Sequence, residues 1–234
     1  MQATKRIPQL ISSLSPALPV VMGYLPIGFA FGVLAINGGL TWLETLAMSV
    51  IVYAGSAQLM AVSLFANGIN PFSIIATTFI VNLRHLLMSA SLAPYMTDWS
   101  KGQVAAFCAE LTDESFGVQS LRFEQGQNDA PLSLGINLTC QLAWVAGTVL
   151  GIVAGGLITD VKPFALDYAL PAMFIALLVL QIKSRLHLMV ALFGGVLSMV
   201  LWMVGVTQWN VIFATILAAS FGAGVETWTK QPSS

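Results

Sequence analysis

Four stretches of this chain carry no aspartate, glutamate, lysine or arginine: Ile7 to Leu43, Thr45 to Leu83, Ala130 to Thr159 and Leu186 to Val225. A helix needs about 20 apolar residues to cross a bilayer, so each stretch holds a span, and the longest hold a turn or a second span as well. Charged residues make up 8% of the chain and hydrophobic residues 57%, whereas a soluble domain carries about a quarter charged residues. The chain is solvated largely by lipid. These features predict an all-α polytopic membrane protein, with one transmembrane domain over residues 1–234.

Turn signals divide the chain into eight predicted spans, at about Ser15–Ile36, Leu43–Phe65, Phe72–Leu92, Gln103–Leu121, Leu132–Leu157, Phe164–Ile182, Leu186–Val206 and Trp209–Val225. Asn37-Gly38-Gly39 closes the first, Asn67 to Pro71 the second, and Pro94 the third. The fourth is the least apolar, because Glu110, Asp113 and Glu114 lie within it. If it crosses and the N-terminus is cytoplasmic, then Lys5, Arg6, Arg122, Lys183, Arg185 and Lys230 all lie inside, which the positive-inside rule favours. If it does not cross, every later loop inverts. The expectation is eight crossings with both termini cytoplasmic. Ala17-Leu18-Pro19 and Ala169-Leu170-Pro171 open the first and sixth spans and hint at an inverted repeat of spans one to three against six to eight, a common basis of alternating access.

Other features exclude functions. A net charge of −1 with no basic cluster excludes a nucleic-acid surface. Cys108 and Cys140 fall inside spans at no metal-ligand spacing, so neither a disulfide nor a metal site is expected, and no cofactor is implied. Lys5 and Arg6 before an apolar run resemble a signal peptide. The run is too long and holds Pro16, Pro19 and Pro26, so it reads as a retained first span. Trp42, Trp99, Trp202, Trp209 and Trp228 read as interfacial anchors, and His187, beside Lys183 and Arg185, as a boundary residue.

Within this apolar frame Arg84 stands in Asn82-Leu83-Arg84-His85, in the middle of the third span. A cation there costs at least about 2.5 kcal/mol without a partner or a wet cavity, which makes it a functional candidate. Asn82, His85 and Ser89 share one helical face, and Arg84 points about 100° away. In the fourth span Glu110, Asp113 and Glu114 lie about a turn apart, at a depth where Asp113 could meet Arg84. Pairing would leave one or two carboxylates in excess, and an excess carboxylate in low dielectric takes up a proton. The alternative is a structural ion pair that locks two helices. The second span carries Tyr53-Ala54-Gly55-Ser56-Ala57-Gln58 at its centre. A helix break at Gly55-Ser56 would offer amide groups to a small zwitterion or coupling ion. The alternative is a small-residue packing face, which leaves Gln58 unexplained.

The set Pro26-Ile27-Gly28-Phe29-Ala30-Phe31-Gly32, Ala54-Gly55-Ser56-Ala57-Gln58, Asn82-Leu83-Arg84-His85 and Thr112-Asp113-Glu114 resembles the AzlC-type proteins. These are the large subunits of bacterial branched-chain amino acid exporters. The resemblance covers most of the chain and is sharpest from about Leu14 to Phe116. It implies export of valine, leucine, isoleucine and, for some members, methionine, from a cell inner membrane. It further implies a separate small AzlD-type membrane subunit and secondary transport, in keeping with a sequence that has no Walker motif.

Three functions are open to these residues. In a secondary exporter, Tyr53, Gly55, Ser56, Gln58 and Asn82 bind the amino acid, with Phe29 and Tyr53 as an apolar wall. Arg84, His85, Glu110, Asp113 and Glu114 then supply the ion pair and the coupling proton. An intramembrane serine hydrolase would use Ser56 and His85, but Gly55-Ser56-Ala57 is not the rhomboid-type pattern and the acids would have no role. A structural subunit of another transporter would leave Gln58 and Asn82 without function.

Overall fold

The computed structural model describes residues 6–158, 184–206 and 210–229, with scattered positions between 168 and 182, and side chains from residue 14 onward. The described elements are α1 (Arg6–Asn37), α2 (Trp42–Ala47) running into a π-turn (Met48–Val52), α3 (Gly55–Ala66) and α4 (Pro71–Leu92). A short 3-10 turn, α5 (Lys101–Ala109), α6 (Asp113–Glu124), α7 (Ala130–Gly155), α8 (Arg185–Met203) and α9 (Asn210–Thr229) follow. Helix starts follow local chemistry. Asn70 caps α4 before Pro71, Asp129 caps α7 before Pro131, and Thr41 and Ser100 close capping boxes with Glu44 and Gln103.

Four of these helices are long and apolar enough to cross a membrane: Leu14–Asn37 of α1, Pro71–Tyr95 through α4, α7 and α8. They coincide with the first, third, fifth and seventh predicted spans. The eighth corresponds to α9, and the sixth, with Ala169-Leu170-Pro171, lies outside the described residues. The chain forms two compact units, Met1–Pro171 and Ala172–Ser234.

In the first unit α1 and α7 pack along their lengths through glycine. A Cβ placed on Gly28 would lie 2.7 Å from the Trp144 carbonyl, on Gly32 2.4 Å from that of Thr148, and on Gly151 2.2 Å from that of Phe29. Gly28 and Gly32 face Gly147 and Gly151, and Gly155 faces Val33 and Ile36, four-residue spacings that let two backbones meet as small residues do in membranes. The contacts advance in the same direction on both helices, so α1 and α7 run parallel. Asn37 Nδ2 closes the far end on the Ile158 carbonyl at 3.0 Å.

The second and fourth predicted spans are not single helices. Each is a helical hairpin that returns to its starting end. Gln58 Nε2 reaches back nine residues to Ser49 Oγ, and α3 ends with Val62 and Phe65 beside Gly38 and Gly39, where α2 began. In the second hairpin Phe107 stacks on Phe123 at 5.7 Å, Trp99 Nε1 donates to the Asn128 carbonyl at 2.9 Å, and Asn128 Nδ2 donates to that of Tyr95. The halves are 6 to 12 residues long, and at 1.5 Å per residue even the longest spans about 18 Å, roughly half a bilayer. The expectation of one continuous helix in each of these two spans is corrected accordingly. Composition detects apolar length and does not detect a reversal.

The first hairpin turns at Tyr53, which adopts a left-handed conformation (φ 42°, ψ 48°), and Ala54. The expected break at Gly55-Ser56 is displaced by two residues, and Gly55 instead starts α3. The second turns at Glu110, Leu111 and Thr112, so Glu110 is severed from the helix that carries Asp113 and Glu114 and the three acids do not share a regular helix. α4 runs antiparallel to α1, and the two hairpins enter from opposite ends. The first unit therefore contains two helix-plus-hairpin pairs of opposed direction, α1 with α2–α3 and α4 with α5–α6. Trp99 is not a bare anchor, since its ring packs edge-on against Phe107 at 5.3 Å in a cluster with Leu92, Leu111 and Phe123. Trp42, Trp202 and Trp228 are exposed, and Trp209 lies outside the described residues.

The second unit holds α8 and α9 as an antiparallel pair turned at Gly205 (φ 93°). Gly222 and Gly194 admit Val190 and Ala218, Phe193 meets Phe221 at 5.1 Å, and Asn210 Nδ2 donates to the Ser198 carbonyl at 3.3 Å.

Candidate functional site

The tips of the two hairpins meet at mid-helix residues of α1, α4 and α7. Arg84, near the centre of α4, donates from Nη2 to Ser56 Oγ on the first hairpin and holds Asp113 on the second, Nη1 to Oδ2, at 2.8 Å. One guanidinium thus joins both tips, and its planar fork of donors is suited to two acceptors at once. From α1, the Tyr24 hydroxyl lies 2.6 Å from Thr112 Oγ1 and 2.7 Å from Glu114 Oε2. From α7, Trp144 closes the group, with its ring against Gly55, edge-on to Tyr24 at 5.4 Å and stacked on Phe31 at 6.1 Å. A Cβ on Gly55 would stand 2.9 Å from that indole, so this glycine is required by close packing, as the packing alternative expects.

The two tips differ chemically. α6 begins with Thr112 and Ser115 satisfying each other's backbone N–H groups, and with Asp113 and Glu114 in its first turn. That arrangement suits the positive end of a helix dipole. Thr112→Ala should cost about 1 kcal/mol as a lost cap and release Tyr24, a loss readable as a lowered melting temperature in detergent. α3 begins at Ala54 with no side-chain cap, so its first-turn amides face the junction without a side-chain acceptor. Beneath them runs a ladder from Gln58 Nε2 to Ser49 Oγ (3.2 Å), Ser49 to Thr148 (2.8 Å) and Thr148 Oγ1 to the Trp144 carbonyl (3.0 Å).

The expected residues divide into groups. Tyr53, Gly55, Ser56, Arg84, Asp113 and Glu114 are brought together at the tips. Gln58 faces the ladder, one turn deeper. Glu110 closes α5 at the tip and, among the described residues, forms no ion pair. Asn82 Oδ1 and His85 Nε2 are buried on α4 without a hydrogen-bond partner. Ser56 bonds to Arg84 rather than to His85, and a guanidinium does not serve as a base, so the serine–histidine pair of a hydrolase is not assembled. Phe29 meets α7 through its backbone at Gly147 and Gly151. Sequence reading missed Tyr24, Trp144, Ser49 and Thr148. Trp144 had a visible signal as the one tryptophan in mid-span, far from any predicted membrane edge.

Among the described residues nine buried side-chain polar atoms lack a hydrogen-bond partner, and Tyr53 Oη, Gln58 Oε1, Asn82 Oδ1, Arg84 Nε, His85 Nε2 and Trp144 Nε1 belong to this region. Buried polar groups are rarely left so, and their concentration here calls for an explanation. No cluster of metal-ligating side chains occurs among the described residues.

A family profile described as AzlC protein matches residues 19–158, the segment that carries both hairpins and α7. An uncharacterized membrane protein of Archaeoglobus fulgidus is 33% identical over 202 residues, covering 86% of this chain and 88% of that one. The inner membrane protein YgaZ of Escherichia coli is 30% identical over 198 residues, with 81% of each covered. The branched-chain amino acid transport protein AzlC of Bacillus subtilis is 26% identical over 172 residues, covering 73% of this chain and 67% of that one. No solved structure matches. With its multi-pass helical unit and the profile match across most of that unit, this membrane protein belongs to the AzlC family.

Proposed function

We propose that the chain is a secondary exporter of branched-chain and other hydrophobic amino acids, coupled to protons, in one transport domain that works with a separate small AzlD-type subunit. The observation that carries this reading is the junction of two opposed hairpin tips on Arg84. Interrupted helices at mid-depth are how transporters present helix ends to small charged solutes. The uncapped α3 N-terminus beside Arg84 suits the substrate carboxylate, and the Tyr53 and Trp144 rings suit an apolar side chain. In this reading Gln58 and Asn82 complete the polar shell. The Bacillus subtilis relative's name supports the substrate class.

The same folding revises the proposed topology. Two hairpins that do not cross change no later loop's side, because their effects cancel. α1, α4, α7, the 164–182 segment, α8 and α9 then make six crossings, with both termini still cytoplasmic. Lys101 joins Arg122 inside, which improves the positive-inside balance.

The test is efflux of labelled valine from preloaded proteoliposomes, with and without the small subunit and an imposed pH gradient. Efflux that depends on both is the expected result. No efflux of valine, leucine, isoleucine or methionine from a folded complex would refute the reading. A merely structural subunit would keep full activity on substitution of Gln58 or Asn82, whereas a binding role predicts a raised apparent KM for each.

A further inference from the structure

The two acids that open α6 are not equivalent. Asp113 is matched to Arg84 at 2.8 Å. Glu114, half-buried on the next position, has the Tyr24 phenol at 2.7 Å. With Arg84 and Asp113 neutralising each other, Glu114 and Glu110 carry the remaining acidic charge of the junction, and of these two Glu114 is the one bonded to Tyr24. Among the described residues the other titratable groups around it are Tyr53 on the first hairpin, Cys140 on α7, Arg84 and His85 on α4, Asp113 beside it and Glu110 across the tip.

The hydroxyls around Glu114 accommodate either of its states. A phenol has one hydrogen, yet Tyr24 lies within bonding distance of both Glu114 and Thr112, at 2.7 and 2.6 Å. With Glu114 ionised, Tyr24 donates to it, Thr112 donates to Tyr24, and Ser115 donates to the Thr112 carbonyl at 3.3 Å. With Glu114 protonated, its O–H donates to the Tyr24 oxygen and Tyr24 donates to Thr112. Thr112 then donates to Ser115 at 3.0 Å, and Ser115 keeps its bond to the Thr112 carbonyl. One proton is gained or lost, two hydroxyls reverse, and no group in the run loses its partner.

Beside Tyr24 stand two further buried aromatic side chains, Tyr53 and Trp144; the residues are 3% and 2% exposed. Their rings lie 6.4 and 5.4 Å from that of Tyr24. A carboxylate flanked by aromatic rings suits a small organic cation. On the far side of the junction, the Arg84 guanidinium and the α3 N-terminus suit an anion. The two charges of a zwitterion fit this polarity in one orientation.

We propose that Glu114 is the point at which a coupling proton and the substrate's α-ammonium group compete, with Tyr24 as the positioning residue that serves both states. This rests on the amino-acid transport reading. Ionised Glu114 holds the ammonium, and a proton arriving at Glu114 removes that charge and releases it. Binding and protonation are then mutually exclusive, which is what exchange of one for the other requires.

The experiment uses the full-length protein in detergent, with the small subunit wherever efflux requires it, and labelled valine as the probe. Wild-type protein should lose valine affinity by about tenfold per pH unit below the Glu114 titration. In weakly buffered solution there it should release up to one proton per valine bound. Glu114→Gln should bind valine at least tenfold more weakly, with no pH dependence and no proton release, and should melt at the wild-type temperature. Tyr24→Phe should move the pH midpoint upward, because the ionised form loses its donor. Should Glu114→Gln fail to fold, the wild-type proton count decides alone. Valine binding with no proton release, or with the same pH dependence in Glu114→Gln, overturns the inference and leaves the transport reading intact. A wild-type protein that binds no hydrophobic amino acid overturns the transport reading itself.

Discussion

Arg84→Ala is expected to reduce valine efflux to the background of empty liposomes and to lower the melting temperature of the purified protein. The guanidinium joins Ser56 and Asp113, one on each hairpin tip. Its removal leaves a carboxylate stranded at mid-depth, and stripping one member of a buried ion pair costs about 3–5 kcal/mol. Arg84→Lys retains the charge but has no planar fork to span both acceptors, so it should recover folding more than transport. The double variant Arg84→Gln/Asp113→Asn restores electrical balance and should melt above either single variant. Efflux and a double-mutant cycle of melting temperatures are the measurements. An Arg84→Ala protein that melts and exports as the wild type does would remove Arg84 from the site.

The second large effect is expected at Gly151. Its missing Cβ would fall 2.2 Å from the Phe29 carbonyl and 2.9 Å from Gly32 Cα, and both obstructing atoms are backbone. A side chain that can rotate away would limit the damage to the about 1–3 kcal/mol usual for overpacking. Backbone has no such freedom, so Gly151→Val should separate α1 from α7 and abolish the monodisperse folded protein on size exclusion. Gly23→Ala is the control. Nothing lies within 4 Å of its Cβ position, and removing a helical glycine should be neutral or gain about 0.5–1 kcal/mol. Equal behaviour of the two variants would show that the α1–α7 contact does not hold the unit together.

These cases show how far the sequence reaches. The third and fifth spans, expected from about Phe72 and Leu132, begin within two residues of those positions, at Pro71 and Ala130, where Asn70 and Asp129 act as local caps. Gly28 and Gly32 drew notice as part of a family pattern. Their counterparts Gly147, Gly151 and Gly155 went unread, because a packing face gains meaning only when its opposite number is known. Arg84 and Asp113 were legible as costly charges at similar depth. The reversals at Tyr53 and Thr112 were not. A half-bilayer helix followed by another has the composition of one whole span, and the left-handed Tyr53 belongs to a residue type that gives no warning of it. Thr112 with Asp113 and Glu114 is an ordinary helix-start signature, and it was hidden because the acids were read as helix interior.

The shared arginine also bears on how the membrane stays sealed. Each hairpin is anchored at its own end of the unit, the first near Gly38 and the second near Asn128, so withdrawing one tip exposes the junction to that side alone. Arg84 grips a tip on either side, and a guanidinium that lets go of one acceptor at this depth is costly unless it keeps the other. If the tips act as gates, as the proposed transport requires, at least one barrier is then latched by the same side chain. A passage open to both compartments would require Arg84 to release both at once, so the residue that organises the proposed site would also disfavour an ion leak.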